Sequence, residues 1–341
     1  MAQKSLLINI FTRKRRTLII GIHGLSNKPP EKLLTHWWRR SIEEGLMKIE
    51  KSPTKFDFKM LYWADLLYPT PLSLNAKDPD DPLHIDEPYI SEKQLKVKTK
   101  KGLLQIFKNL IQYIKEIVFL SKLGLNKFRR PFDAILKIGF KDLDTYYNED
   151  IPKNEQMFED YFRNKVRSRL IKLLLKNKRK DILLVAHSMG SIIAYDVLLS
   201  LKHRVKVKYF IAMGSPMGLP LIRENIMKDH HLPFVEDEEA FPPTPEGVEN
   251  WYSFCDKEDN IGAHYNLADY YVENVRGVKP IGKFVENNYK EWKTDNAHKS
   301  FGYLRCIELA EVVNEFLLGG RSSLLAKGKQ LFKRKGREQN E

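Results

Sequence analysis

Short apolar-rich stretches recur along the chain, each long enough for a strand but short for a helix, and the clearest, residues 17–22 and 182–186, are continuous apolar runs. Such runs are typical of strands that are covered on both faces, as in parallel sheets. They predict strands over residues 17–22, 56–63, 182–186, 205–213 and 251–255.

Stretches with apolar residues at helical spacing lie between or after these runs. They predict helices over residues 31–49, 156–176, 189–201 and 300–318. Because strands and helices alternate, we predict an α/β fold with a mainly parallel central sheet and helices on both faces.

Two regions interrupt the alternation. Residues 64–150 combine a loop over 69–88, which contains five prolines, with an amphipathic and basic stretch over 100–127. We expect residues 64–150 to form a cap or insertion over the functional face, where α/β proteins place loop elaborations. Residues 217–250 are rich in proline and acidic residues and predict a second, lid-like loop.

The remaining residues define the predicted domain organisation. We expect residues 1–63 and 151–320 to form one α/β core, and residues 321–341 to form a basic, flexible tail.

The net charge of +14 is concentrated in two segments. Residues 91–130 contain eleven Lys or Arg and two Glu, and residues 321–341 contain seven Lys or Arg and two Glu, so the rest of the chain is neutral overall. No DNA- or RNA-binding motif accompanies this charge, so we expect an anionic membrane surface as the partner and no nucleic acid. For the stretch over 100–127, a helix packed on the core with its lysines in water is the alternative.

The cysteine content and the length of the apolar segments indicate the cellular compartment of the protein. Cys255 and Cys306 are too few for a disulfide framework. The apolar segment before Arg13 is too short for a secretory signal, and no stretch has the roughly 18–20 apolar residues that span a membrane. We therefore expect a cytoplasmic protein that is soluble or peripherally bound to a membrane.

A serine follows the third predicted strand and directly precedes a predicted helix. Ser188 is flanked by small residues two positions before and after it, Ala186 and Gly190. This spacing is that of a nucleophile elbow, with Ala at the first Gly position, because larger side chains there would collide in a tight strand-to-helix turn. Ser188 is therefore the candidate nucleophile.

A serine nucleophile requires a base and an acid that orients the base. His298, in a polar loop before the last predicted helix, is our preferred base, and His264 is the competitor because it lies five residues after Asp259. Asp259, at the turn after the last predicted strand, is our preferred acid, with Asp256 as the alternative. Ser188, Asp259 and His298 then follow the chain order Ser, Asp, His.

The first predicted strand ends in His23-Gly24-Leu25. Parallel strands end at one edge of the sheet, so this loop should lie near Ser188. We expect an oxyanion hole formed by the backbone amides of Leu25 and Met189, with His23 and Gly24 shaping the loop.

Together these segments resemble the α/β-hydrolase superfamily, and within it the lipases and esterases. The resemblance covers roughly residues 15–25 and 181–318, and it includes the Gly214-Ser215-Pro216 strand end. It implies an α/β-hydrolase fold with a helical cap or lid insertion. It also implies a Ser188–His298–Asp259 triad that works through an acyl-enzyme intermediate, with no cofactor and no metal.

These observations predict a serine hydrolase that cleaves a carboxylic ester, with a lipid as the favoured substrate class. An acyltransferase or thioesterase with the same triad is one alternative. A catalytically silent hydrolase fold that binds a membrane or a partner protein is another.

Overall fold

The computed structural model of the chain describes residues 16–50, 55–95, 141–148, 162–235, 239–259, 261–262, 266–291 and 296–319. The basic stretch over 100–127, residues 156–161 of the predicted helix over 156–176, the tail over 321–341 and His264 lie outside these residues.

One six-stranded sheet forms the centre of the molecule. Its strands are Thr17–Ile22 (β1), Phe58–Leu61 (β2), Asp181–His187 (β3), Tyr209–Met213 (β4), Trp251–Cys255 (β5) and Pro280–Phe284 (β6). Their order in the sheet is β2-β1-β3-β4-β5-β6. Each pair of neighbouring strands is parallel, which confirms the predicted sheet.

The described helices surround this sheet. They are Glu31–Lys48 (α1), Glu92–Leu95 (α2), Lys141–Asn148 (α3), Phe162–Asn177 (α4), Met189–Leu201 (α5), Pro220–Asp229 (α6), Ser300–Leu304 (α7) and Ile307–Leu317 (α8). Short 3-10 turns cover Ala64–Leu66, Lys202–Arg204, Pro216–Gly218, Leu267–Asp269 and Asn288–Glu291.

The core has two layers, one on each face of the sheet. Ile20 of β1 packs in one layer with α4 and α5. Its neighbour Ile19 packs in the other layer with α1 and α8. Because successive strand residues point to opposite faces, burial of both faces explains the continuous apolar runs in the sequence.

The last predicted helix, 300–318, is wrong as a single element. It breaks into α7 and α8 at Arg305 and Cys306, and Cys306 has an extended backbone, with φ −67° and ψ 155°. The Arg305 side chain is completely buried and donates to the carbonyl oxygens of Phe301, at 3.1 Å, and Ile90, at 2.8 Å. The residues that fix the break therefore include Ile90, which is distant in sequence.

The prediction that residues 217–250 form a loop is wrong for part of this segment, which is helical. They contain α6, in which Pro220 occupies a first-turn position where its missing N–H costs nothing. Ile222 and Ile226 of α6 are buried in the core layer beside α5. The acidic and proline-rich composition concealed these two core positions. Residues 69–88, by contrast, contain no helix or strand.

Strand β6 was not predicted, and it lies at the edge of the sheet. Four of its five residues are exposed, so its sequence lacks the apolar run that marks the other strands. Within the described ranges, no helix combines the length and apolar content that crossing a membrane requires.

Candidate active site

Ser188 lies between the end of β3 and the start of α5. Its backbone has φ 52° and ψ −129°, in a region that residues with side chains rarely adopt, and its side chain is almost fully buried. Its N–H donates to the Met213 carbonyl oxygen of β4, at 3.0 Å. The strand and helix thus hold the serine in a strained turn, which is the backbone geometry of a nucleophile elbow.

Gly190 explains the small residue that follows Ser188 by two positions. A Cβ atom built on Gly190 would lie 2.6 Å from the carbonyl oxygen of His23 and 2.7 Å from that of Ile22. The first turn of α5 therefore packs directly against the backbone at the end of β1. Ala186, at the preceding small position, is completely buried in β3.

His298 and Asp259 form a hydrogen-bonded pair. Nδ1 of His298 lies 3.0 Å from Oδ1 and 2.9 Å from Oδ2 of Asp259. Asp259 also accepts hydrogen bonds from the Tyr303 hydroxyl, at 2.5 Å, and from the Ile261 N–H, at 2.9 Å. Burial acts to raise the pKa of Asp259, but His298 and these hydrogen bonds outweigh it and lower that pKa. An ionised Asp259 fixes Nδ1 of His298 as the protonated nitrogen.

Gly214 makes room for this pair. It follows β4 with a positive φ of 51°, and a Cβ atom there would lie 2.6 Å from Asp259 Oδ2 and 2.9 Å from His298 Nδ1. The position therefore requires glycine both for its backbone conformation and for the space beside the carboxylate.

Asp256, the alternative acid, supports the surrounding turn. Its Oδ1 accepts from the Glu258 N–H at 2.9 Å, and its Oδ2 accepts from the Asn287 N–H at 2.6 Å. Its own N–H donates to the Tyr303 hydroxyl, at 2.9 Å. Asp256 and Tyr303 thereby hold the loop that carries Asp259.

His23 is held at the end of β1 by both ring nitrogens. Nε2 accepts from the Trp63 N–H at 3.1 Å, and Nδ1 lies 2.9 Å from the Gly24 carbonyl oxygen. Burial, followed by the charge of Lys28, lowers the pKa of His23 to about 3, so it is neutral at pH 7. Its Nδ1 then carries the proton, and His23 shapes the loop rather than acting as a base.

His187, the residue before Ser188, contacts the His298 loop. Its Nε2 lies 2.7 Å from the His298 carbonyl oxygen, and the two rings are 4.6 Å apart. Burial, followed by the charge of His298, lowers the pKa of His187 well below its usual value. Neutral His187 therefore donates from Nε2 and fixes the backbone of the candidate base.

Ser188 and His298 line one cavity of about 1290 Å³. Leu25 lines it too and follows Gly24, which packs against Ser188, and Met189 begins α5 directly after Ser188. Apolar and aromatic residues form part of the wall, with charged and polar residues elsewhere in the lining. The apolar and aromatic residues are Leu25, Leu34, Trp37, Trp38, Leu72, Ile85 and Phe301.

The proline-rich loop closes another side of this cavity. Glu87 accepts from Asn296 Nδ2 at 2.6 Å and from Lys299 Nζ at 2.9 Å. Asn296 and Lys299 flank His298, so the loop over 69–88 is tied to the segment that carries the candidate base. In the described part of the chain, no group of three or more His, Cys, Asp or Glu could hold a metal ion.

Sequence reasoning assigned no role to Tyr303, Gly214 or His187. Gly214 lies in the Gly214-Ser215-Pro216 strand end, and Tyr303 follows His298 by five residues. Their functions depend on contacts that only the fold creates.

A comparison with known families gives a match to the part of the chain that carries Ser188. The family described as lecithin:cholesterol acyltransferase matches residues 144–221, which run from α3 through Ser188 to the start of α6. No curated protein matches the chain significantly. The parallel sheet, the strained serine between β3 and α5, and this match support an α/β-hydrolase fold of the serine-hydrolase type.

Proposed function

We propose that the protein cleaves or transfers the acyl group of a carboxylic ester of a lipid, using Ser188, His298 and Asp259 as a catalytic triad. The observation that carries the proposal is the His298–Asp259 pair, because its His298 lines the same cavity as the strained Ser188. A serine at a nucleophile elbow is a weak nucleophile by itself. A serine that shares a cavity with an imidazole oriented by a carboxylate has the base that acyl transfer requires.

The first half of the reaction forms an acyl-enzyme. Ser188 Oγ attacks the ester carbonyl carbon and its proton passes to Nε2 of His298, because Nδ1 is bound to Asp259. The carbonyl oxygen becomes an oxyanion. The bond to the alcohol then breaks as its electron pair leaves with the alkoxide oxygen, which takes the proton from Nε2.

The second half regenerates the serine. A water molecule or an acceptor alcohol gives its proton to His298 and attacks the acyl carbon, and the proton returns to Ser188 Oγ as the ester bond to the enzyme breaks. The amides of Leu25 and Met189 stabilise both oxyanions, and loss of one such donor typically costs about 10²–10³-fold in kcat.

A lipid substrate is favoured by two observations. The matched family is named for an acyltransferase of lecithin and cholesterol. The cavity of about 1290 Å³ exceeds the roughly 300–1,000 Å³ of pockets for small ligands, and aromatic and aliphatic residues form part of its wall. Acyl chains would lie against that wall.

The acceptor distinguishes a hydrolase from an acyltransferase. Product analysis with a phospholipid substrate, in the presence and absence of a long-chain alcohol or sterol, separates the two. Free fatty acid alone indicates hydrolysis, and a new ester indicates transfer.

Substitution of the nucleophile tests the proposal. Ser188→Ala should reduce kcat for p-nitrophenyl ester hydrolysis by on the order of 10⁶-fold and abolish labelling by a fluorophosphonate probe. Ser200→Ala is the matched control, because Ser200 lies on the same helix, is exposed and donates only to the Asp196 carbonyl oxygen at 2.8 Å. Retained turnover in folded Ser188→Ala protein would overturn the proposal.

A further inference from the structure

One peptide group in the loop after β1 lies between two opposite charges. The Ser26 N–H donates to Asp142 Oδ2 at 2.6 Å. The Lys28 ammonium donates to the carbonyl oxygen of Leu25. This carbonyl and this N–H belong to the same peptide, which joins Leu25 to Ser26. A carboxylate therefore holds one end of the peptide and an ammonium holds the other.

The backbone of this loop has a conformation that needs support. Ser26 has a positive φ of 71°, in the left-handed region that residues with side chains rarely adopt. Lys28 Nζ also lies 3.1 Å from the Ser26 carbonyl oxygen and 3.4 Å from that of Asn27. The ammonium thus gathers the carbonyl groups of three successive residues to one side of the loop.

Asp142 is itself anchored. It is almost fully buried on α3, and its Oδ1 accepts from the Tyr68 hydroxyl at 2.5 Å. Each carboxylate oxygen therefore has one strong donor, so the side chain has little freedom to turn away from Ser26. Burial, followed by the charge of Lys299, lowers the pKa of Lys28 to about 7, while Asp142 opposes this shift. Asp142 is thus the anion that helps Lys28 to stay charged.

Both ends of the Leu25 segment are constrained. Gly24, which precedes Leu25, packs against Ser188: a Cβ atom built on Gly24 would lie 2.8 Å from Ser188 Cβ. With Gly24 held by the elbow and the Leu25–Ser26 peptide held by the two charges, little freedom remains for the Leu25 N–H between them.

We infer that Asp142 and Lys28 are positioning residues, which aim the Leu25 amide at the oxyanion by clamping the following peptide. This inference rests on the proposed function, in which the Leu25 amide stabilises the oxyanion. Neither residue touches the reacting atoms in this role. Their effect is realised in the transition state, because a misplacement of about 1 Å in such a donor can cost roughly 10²-fold in rate.

Asp142→Ala and Asp142→Asn test the clamp, with Glu44→Ala as the matched control. The Asn side chain retains an oxygen that accepts from Ser26. Glu44 is also a buried carboxylate that accepts from a tyrosine, Tyr89, at 2.6 Å, but its other partners are the Glu92 N–H and Arg305 rather than the loop after β1. The measurements are kcat and KM for a short p-nitrophenyl ester, and hydrogen exchange of the Ser26 amide, each made well below the unfolding temperature.

Asp142→Ala should lower kcat by on the order of 10²-fold with KM changed by less than about threefold, and Asp142→Asn should recover most of that loss. Exchange of the Ser26 amide should accelerate in Asp142→Ala and stay slow in Asp142→Asn. If Asp142→Ala does not fold, Lys28→Met removes the other half of the clamp while keeping its aliphatic packing, and the same loss of kcat is expected.

Two outcomes overturn the inference, and they differ in what they mean. If the wild-type protein shows no turnover that depends on Ser188, the proposed function fails and the clamp fails with it. If the wild-type protein is active but Asp142→Ala keeps kcat within about threefold, or loses no more than Glu44→Ala, the clamp alone fails.

Discussion

At the residue scale, the backbone of Gly214 packs directly against the Asp259–His298 pair. Gly214→Ala should lower kcat by about 10²-fold or more, because the new Cβ atom would push against Asp259 and His298, at 2.6 and 2.9 Å. Gly277→Ala is the control, since Gly277 also has a positive φ, 69°, but its nearest atom lies 3.9 Å away. The positive φ should cost each variant about 1–2 kcal/mol of stability in urea unfolding, and Gly214→Ala should lose more because of its close contacts. Equal activities in the two variants would contradict this prediction.

Tyr303 links the stability of the protein to pH through Asp259. The pKa of Asp259 is lower in the folded protein than in the unfolded chain. Ionised Asp259 therefore stabilises the folded protein at neutral pH, and this stabilisation is lost as the pH falls through the pKa that Asp259 has in the folded protein. Because the Tyr303 hydroxyl helps to lower the pKa of Asp259, Tyr303→Phe should reduce the free energy of unfolding by about 1–3 kcal/mol at pH 7.

The pH dependence separates the two bonds that Tyr303→Phe removes. The part due to Asp259 should shrink as the pH falls through the lowered pKa of Asp259 in the folded protein, whereas the lost bond to the Asp256 N–H costs the same at every pH. Urea unfolding of both proteins at pH values from 7 down to about 1 gives the comparison. A difference in unfolding free energy that is unchanged between these pH values would show that Asp259 is not the group responsible.

The chain order of Ser188, Asp259 and His298 was readable from the sequence, because each follows a recognisable strand or precedes a recognisable helix. The choice of Asp259 over Asp256 rested on its position in a turn, and the hydrogen bonds supply a physical reason for that choice. Tyr303 and Asp142 were not recognisable, because a tyrosine or an aspartate gives no local sign of the distant carboxylate or amide that it will bind.

At the element scale, apolar-rich stretches were reliable because burial on both faces of a parallel sheet leaves little room for polar residues in the strands. They identified five strands, and they missed β6 because an edge strand need not be apolar. The break between α7 and α8 was hidden for a different reason. Residues 300–318 have helical periodicity, and the break lies at the buried Arg305, whose contact with Ile90 is not visible in the local sequence.

At the scale of the whole molecule, the core and the substrate region differ in how well the sequence predicts them. The core follows from local patterns, whereas the cavity wall is formed by α1, the loop over 69–88 and the His298 segment, which meet only in the fold. The proposed partner at this scale is an anionic membrane on the cytoplasmic side, and its support is the concentration of the +14 charge in residues 91–130 and 321–341.

Membrane attachment predicts that charge location matters more than charge number. Each Lys or Arg near an anionic surface contributes about 1 kcal/mol of attraction. Replacing Lys327, Lys329, Lys333 and Arg334 with Gln should therefore weaken binding to phosphatidylserine-containing vesicles by at least about tenfold, and added salt should weaken binding of the wild-type protein in the same way. Vesicle co-sedimentation measures both effects.

The matched control removes the same charges from another surface, the exposed part of α4 and the turn after it. Replacing Lys172, Lys176, Lys178 and Arg179 with Gln also removes three Lys and one Arg. If attachment depends on the basic segments, this control binds nearly as well as the wild-type protein. Equal weakening in both variants would mean that net charge alone draws the protein to anionic vesicles. A long-range attraction depends on the total charge, whereas binding through a defined surface depends on which residues touch the lipid.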